Sequence, residues 1–225
     1  TFHSTDFSRA KLNGAILRRS DFKDSELSEA DLSLADLTGA NLVGAKLSGA
    51  NLDRIKLNQA KLNDVKLSGA RLTKAKLTQV DLTDADLSGA NLTGAELNEA
   101  TLEGADLSRA NLTEAILINA NLKNTFLIGA NLQKADLEEV VLEGADMAGV
   151  KLRHANLKKA NLKKVDLRRA DLEHADFSKA NLSSANFTGA KMSESLFIDA
   201  DLTATKMDSA DTTDTQFQGA IGFKA

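Results

Sequence analysis

Cysteine, proline, tryptophan and tyrosine are all missing from this chain, and phenylalanine alone supplies its 4% of aromatic residues. Without cysteine there are no disulfides and no thiolate metal sites, so the sequence carries no sign of a redox compartment. The scarcity of rings fits a core too narrow to hold many. No apolar run is long enough to span a bilayer, and no signal peptide stands at Thr1. The chain starts without Met and already in its repeating frame, which reads as a mature or trimmed segment. A formal net charge of −4 argues against a general binder of polyanions or polycations.

What is present is a beat of five. From Phe2 to Phe217 every fifth residue is large and apolar, with one exception at Thr212, and the residue two before it is small, nearly always Ala. From Ala35 the sequence runs ADLSL ADLTG ANLVG AKLSG ANLDR, and no insertion shifts the frame. Such self-similarity is the mark of a solenoid. A period of five suits neither an amphipathic helix nor a plain strand. With the apolar centre as position i, residues i−2 and i point inward across one strand-like alternation. Positions i−1, i+1 and i+2 point out, with a corner at i+1 and i+2. A right-angled corner after each five closes a four-sided coil in about 20 residues, stacked on its neighbours at about 4.8 Å. Leu at i and Ala at i−2 fill the axis, and Gly at i+2 (Gly44, Gly49, Gly69, Gly89, Gly94) suits the corner.

Motifs such as Ala40-Asn41-Leu42, Ala85-Asp86-Leu87, Ala130-Asn131-Leu132 and Ala180-Asn181-Leu182 recur in frame along the whole chain. In these the sequence resembles the pentapeptide repeat protein family, with its A(D/N)LXX consensus. The resemblance implies an all-β, right-handed quadrilateral β-helix of about 11 coils. The dense A(D/N)L units without interrupting loops are most similar to cyanobacterial members. One domain over 1–225 is expected, with 205–225 as a degenerate C-terminal coil or cap.

Charge is banded along the axis. Lys56, Lys61, Lys66, Arg71 and Lys76 take the i−1 position five times running, where Asp or Asn is usual. An acidic stretch follows from Asp81 to Asp146, and then Arg153, Lys158, Lys159, Lys163, Lys164, Arg168 and Arg169 occupy successive corners. Because one coil is about 20 residues, each basic run forms a girdle around the rod rather than a stripe. These cations, together with the outward-facing Phe126, are the candidate partner contacts. A solvated surface, contact with a protein and self-association between basic and acidic bands are the readings weighed for them. Nucleic acid is disfavoured, since no aromatic residues are interleaved to stack bases and the acidic band opposes phosphates.

Catalysis is not expected. A rod with flat faces gathers no convergent groups, and the repeated Gly lacks the strand–loop–helix setting of a phosphate cradle. His154 and His174 fall at the same repeat position one coil apart and should stack, but no third ligand stands at metal-site spacing. No cofactor and no metal is expected. Phe177, Phe197 and Phe217 should form one inner ladder, and Phe2 and Phe22 another at the opposite end. Ile116, Ile118 and Ile128 should face outward like Phe126, with the first two on the side opposite the last two.

The pattern weakens at both ends. Ser20 and Ser25 replace Ala near the start, Thr205, Thr212 and Thr215 break the pattern near the finish, and Phe217 and Phe223 are candidate plugs. Either terminal residues fold over the core, or two molecules pair end to end. The function expected is a rigid, non-enzymatic rod that serves as a structural or protein-interaction module, soluble and without a membrane. Cytoplasm, periplasm and thylakoid lumen all remain open as its location. The resemblance also offers an alternative, a DNA-mimicking protein that binds a type II topoisomerase such as gyrase, as in quinolone resistance. The absence of loops and the Lys/Arg girdles depart from that branch.

Overall fold

Each pentapeptide closes on itself through one turn. The carbonyl at position i accepts the N–H three residues on, as Leu32 does from Ala35 at 3.0 Å and Leu87 from Ala90 at 3.0 Å. In the computed structural model, which describes residues 1–222, position i+2 has a positive φ in pentapeptide after pentapeptide. It runs from 48° at Ser4 to 73° at Gly144. Positive φ at the third of four turn residues is the requirement of a type II turn. Non-glycine residues meet it at most corners, including Leu34 at 61°. Gly44 and Gly104 have a second reason to lack a side chain: a Cβ there would strike the Asp24 or Asp84 carboxylate of the preceding coil.

Four turns bring the chain back to its starting side. Asp31 is bridged in parallel to Lys11 and Asn51, and Asp36 to Ile16 and Lys56; the same spacing holds on four ladders that begin at Asp6, Lys11, Ile16 and Asp21. Position i−1 always supplies the bridge residue. The expected stacking of residues twenty apart is therefore what the backbone does.

The pentapeptide around Leu87 shows where every N–H goes. Ala85 donates to the Leu82 carbonyl at 3.1 Å, closing the turn. Asp86 donates back to Val65 at 2.9 Å, while Leu87 and Gly89 donate forward to Asp106 at 2.7 Å and Ser108 at 2.9 Å. The N–H of Ser88 is left at the corner, and the Asp86 side chain accepts it at 3.1 Å. Every Asp and Asn at i−1 among the described residues accepts the i+1 N–H in this way, as Asn41 does from Val43, Asp106 from Ser108 and Asn181 from Ser183. That explains the preference for those two residues at i−1. Both reach an oxygen back over the corner, and no other side chain of that length accepts there without a donor proton of its own.

Leu at i and Ala, Val or Ile at i−2 are buried from Phe22 to Leu202 in one continuous core. Ser25, Thr125 and Ser195 are fully buried at i−2 because their hydroxyls have backbone acceptors. Thr125 donates to the Leu122 carbonyl at 2.8 Å, Ser25 to that of Phe2 at 2.7 Å, and Ser195 to that of Met192. The phenylalanines collect at the ends as expected. Phe177, Phe197 and Phe217 stack at 4.8 and 5.5 Å, and Phe2 and Phe22 at 4.9 Å. Phe187 and Phe7 add edge-on contacts to these ladders. Burial declines outward: Phe7, Leu12, Leu17, Met207 and Phe217 are only partly covered, and Thr212 is exposed. Phe223 lies outside the described residues.

Truncating a centre in mid-rod leaves a cavity that the bonded backbone resists closing. Leu122→Ala should lower unfolding stability by about 2–5 kcal/mol in a denaturant titration. The corner carboxylates set the acid limit. Hydrogen bonds from the Thr38 hydroxyl, and then from its N–H, hold Asp36 below the usual carboxylate range, and those of Ser33 do the same for Asp31. A carboxylate with a depressed folded pKa stabilises the fold above its unfolded pKa, near 4. That contribution is lost as pH falls through the folded value. Melting temperature should therefore decline below about pH 4. Asp31→Asn with Asp36→Asn keeps both acceptors and should reduce the acid-induced decline while changing little at neutral pH.

Candidate interaction surface

The ladders place the first basic run around the rod. Lys56 and Lys76 are neighbours on the Ile16 ladder, while Lys61, Lys66 and Arg71 stand one on each of the other three. All five are exposed. Lysine and arginine have no acceptor, so each removes the oxygen that elsewhere holds the i+1 N–H. Two of the five corners are compensated from the preceding coil. The N–H of Thr73 finds Asp53 Oδ1 at 3.1 Å, and that of Thr78 finds Asn58 Oδ1 at 3.1 Å. The corners after Lys56, Lys61 and Lys66 have no such protein acceptor among the described residues.

The structure also separates cations that the sequence groups together. Arg71 pairs with Asp53, and Lys76 lies 4.0 Å from Glu96. In the second run Arg153 pairs with Glu173, and Lys158 with Asp176 at 3.1 Å. Lys159 bridges Glu138 at 3.1 Å and Glu139 at 2.8 Å, and Arg168 folds onto Asp166 at 2.6 Å. These contacts hold Lys159 and Arg168 more firmly protonated, chiefly through the hydrogen bonds they donate to Glu139 and Asp166. Lys56, Lys61, Lys66, Lys163, Lys164 and Arg169 make no ion pair among the described residues. Exposed pairs contribute little to stability, but they do occupy a cation. The other six are not committed to a carboxylate in this way.

His154 and His174 stack as expected, with ring centroids 4.7 Å apart and planes 4° from parallel. His174 Nδ1 lies 3.4 Å from Glu194. Among the described residues no group of three or more His, Cys, Asp or Glu side chains is arranged to hold a metal ion. No helix is long and apolar enough to cross a membrane.

The four outward apolar residues differ in exposure. Phe126 is 50% and Ile128 45% exposed, while Ile116 and Ile118 are half-buried. Residues twenty positions away decide this. Ile118 lies between the longer Asn98 and Glu138, whereas Ile128 lies between Ser108 and Ala148. Phe126 belongs to the Asp6 ladder and Ile116 to the Ile16 ladder, so they form no single patch. Two notches flank Phe126 and Ile128 along one edge of the rod. One, of about 440 Å³, is lined by Ser88, Gly89, Ser108, Arg109 and Ile128. The other, of about 540 Å³, is lined by Ala148, Gly149, Arg168, Arg169 and Thr188. Phe126, Ile128, Arg168 and Arg169 were singled out in the sequence, but Arg109 was not; comparing residues twenty apart would have found it.

Comparison with known proteins agrees with this geometry. A family profile described as Pentapeptide repeats matches over residues 2–39, 40–79, 75–113, 105–144, 145–183 and 160–198. Among solved structures, HetL is a pentapeptide repeat protein involved in heterocyst differentiation regulation in the cyanobacterium Nostoc sp. strain PCC 7120. It is 33% identical, with 94% of this chain and 92% of that one covered, at a TM-score of 0.50. A pentapeptide repeat protein from the Arabidopsis thaliana thylakoid lumen is 34% identical over 48% of this chain and 68% of its own, at 0.31. A trypsin-treated form of QnrB1, a plasmid-mediated fluoroquinolone resistance protein, is 21% identical over 89% and 88%, at 0.46. No curated protein matches. The chain belongs to the pentapeptide repeat family.

Proposed function

We propose that this chain is a non-enzymatic, right-handed four-sided rod, one domain over 1–225, that works as a protein-interaction module through its basic girdles. The observation that carries this reading is the loss of a structural acceptor at five consecutive ladder positions, Lys56 to Lys76. At most other positions of this kind Asp or Asn satisfies the corner N–H, and no other run of five lacks them. Three of the five corners have no protein replacement among the described residues. A neutral surface would lose nothing by keeping Asn. A run of cations that weakens its own corners is the mark of a site where stability yields to function.

The partner on this reading is a protein with an acidic surface. The girdles carry no Phe, Tyr or Trp on which bases could stack, and the carboxylates from Asp81 to Asp146 oppose a continuous phosphate backbone. HetL, which is involved in the regulation of heterocyst differentiation, is similar along nearly its whole length. That supports a regulatory or scaffolding role here as well, in an aqueous compartment.

Lys61→Asn with Lys66→Asn separates the two effects. Restoring two corner acceptors should raise unfolding stability by about 0.5–1 kcal/mol per site. The same change should reduce salt-sensitive capture of protein from a lysate of the source organism on the immobilised rod. Equal capture by both forms at low salt would remove the girdle from the function. A fall in stability would remove the acceptor argument behind it.

A further inference from the structure

We propose that the adjoining corners at Ser48 and Ser68 form a binding site for a tetrahedral oxyanion, the dianion of free phosphate or of a phosphorylated side chain. This deepens the reading of the first girdle as a contact surface by naming the group it recognises, and rests on that reading.

The chain itself shows what such a corner holds. In several pentapeptides with Asp at i−1 and Ser or Thr at i+1, one carboxylate oxygen accepts both the N–H and the hydroxyl. Asp86 takes them from Ser88 at 3.1 and 2.7 Å, and Asp81 from Thr83 at 3.1 and 2.7 Å. The corner is thus an oxyanion site filled by the chain's own carboxylate. In the two coils before Asp86 on the same ladder, Lys46 and Lys66 stand in its place. The segments Lys46-Leu47-Ser48-Gly49 and Lys66-Leu67-Ser68-Gly69 keep both donors and lose the acceptor.

The N–H groups of Ser48 and Ser68 have no protein acceptor among the described residues, and the two hydroxyls meet each other at 3.0 Å. The other lysine corners of the girdle stand singly. The Thr78 N–H, next to the Asn58 corner, is held by the Asn58 side chain; those of Val43 and Thr83, on either side of Asn63, are held by Asn41 and Asp81. Within the girdle, two free corner donors adjoin only here. Approach is open at Gly69, with nothing within 4 Å of a Cβ placed there.

Spacing and charge select the ligand. One coil rise sets the two N–H groups about 4.8 Å apart, a separation that two oxygens of one tetrahedral anion can span. The serine hydroxyls add donors, and flexible lysine stems can bring both ammonium groups to the same anion. A phosphate monoester offers three oxygens and nearly two charges to this set, more than a carboxylate can. The field favours it as well, since residues 46–80 carry eight Lys or Arg against two Asp. Carboxylates on the adjoining coils at this edge are engaged: Asp86 by Ser88, Glu29 by Arg9 at 2.8 Å, and Glu26 by Ser28 and by Lys46 at 3.3 Å. The Lys46–Glu26 pair is exposed, and such pairs are weak enough to yield the ammonium to a dianion.

The test titrates inorganic phosphate into the isotopically labelled full chain at low salt and follows its backbone amide resonances. Those of Ser48 and Ser68 should move most, while those of Ser88 and Thr83, held by Asp86 and Asp81, should stay in place. By fluorescence anisotropy a labelled phosphoserine peptide should bind about tenfold more tightly than the same peptide with glutamate. Binding tighter than that of inorganic phosphate assigns the site to a phosphorylated side chain; equal or weaker binding assigns it to free phosphate. Lys46→Asn with Lys66→Asn returns both corner acceptors, and should lose about tenfold in affinity while melting no lower than wild type. Lys56→Asn with Lys76→Asn removes as much charge from the same girdle and should cost about threefold at most. Equal losses in these two variants would overturn the proposal. So would amide shifts spread evenly around the girdle, equal binding of the two peptides, or preference for a labelled single-stranded oligonucleotide. Loss of these results with retained Lys61- and Lys66-dependent capture of protein rejects the oxyanion site alone; loss of both rejects the interaction reading.

Discussion

The turn from position i to the N–H three residues on, made with a positive φ at i+2, sets the direction of every other group in the rod. Because it recurs every five residues, each side has room for one inward pair, one bridge residue and one corner. Leu and Ala meet at the axis where four sides converge, and pairs as large as Ile55 with Leu57 and Val65 with Leu67 are also buried there. The backbone then has four of its five N–H groups committed to turns and ladders. The fifth falls to a side chain, and that one unmet donor gives the outer surface its preference for Asp and Asn.

Function can be sought where this preference is broken. Lys56, Lys61 and Lys66 leave their corners without a protein acceptor, and Phe126 does the same on the Asp6 ladder between two aspartates that do not. Such departures cost local stability, and the continuous core from Phe22 to Leu202 is large enough to absorb it. The second basic run differs in kind. After Lys151 its i−1 positions keep Asn156, Asn161 and Asp166 with their corner bonds intact, and its cations are corner residues, several of them tied to carboxylates of adjacent coils. A girdle drawn from composition alone therefore contains both occupied and free charges.

The core was legible in the sequence because a strict period leaves one solution: Leu92 and Ala90 are buried by position, without reference to their neighbours. The stacking of His154 on His174 and of Phe177 on Phe197 followed from the same arithmetic. Less visible was the reason for Asp or Asn at i−1, which depends on the reach of an oxygen over a corner. Ion pairing was not legible either. Long side chains choose between carboxylates on adjacent coils; Arg71 takes Asp53 and Lys158 takes Asp176, neither of them in its own column. The exposure of Ile128 against the half-burial of Ile118 depends on the size of residues one coil away, which a reading along the chain passes over.

If the five-residue turn governs the whole molecule, then inserted length matters less than inserted phase. Duplicating residues 86–105 adds one complete coil, while a single Ala inserted after Gly94 moves every later Leu off the axis. Thermal unfolding of the two variants compares these directly. The duplicated chain should melt at or above the parent temperature, with a rod about 4.8 Å longer by small-angle scattering. The single insertion should unfold far below it. Comparable melting of the two insertions would contradict the primacy of the turn.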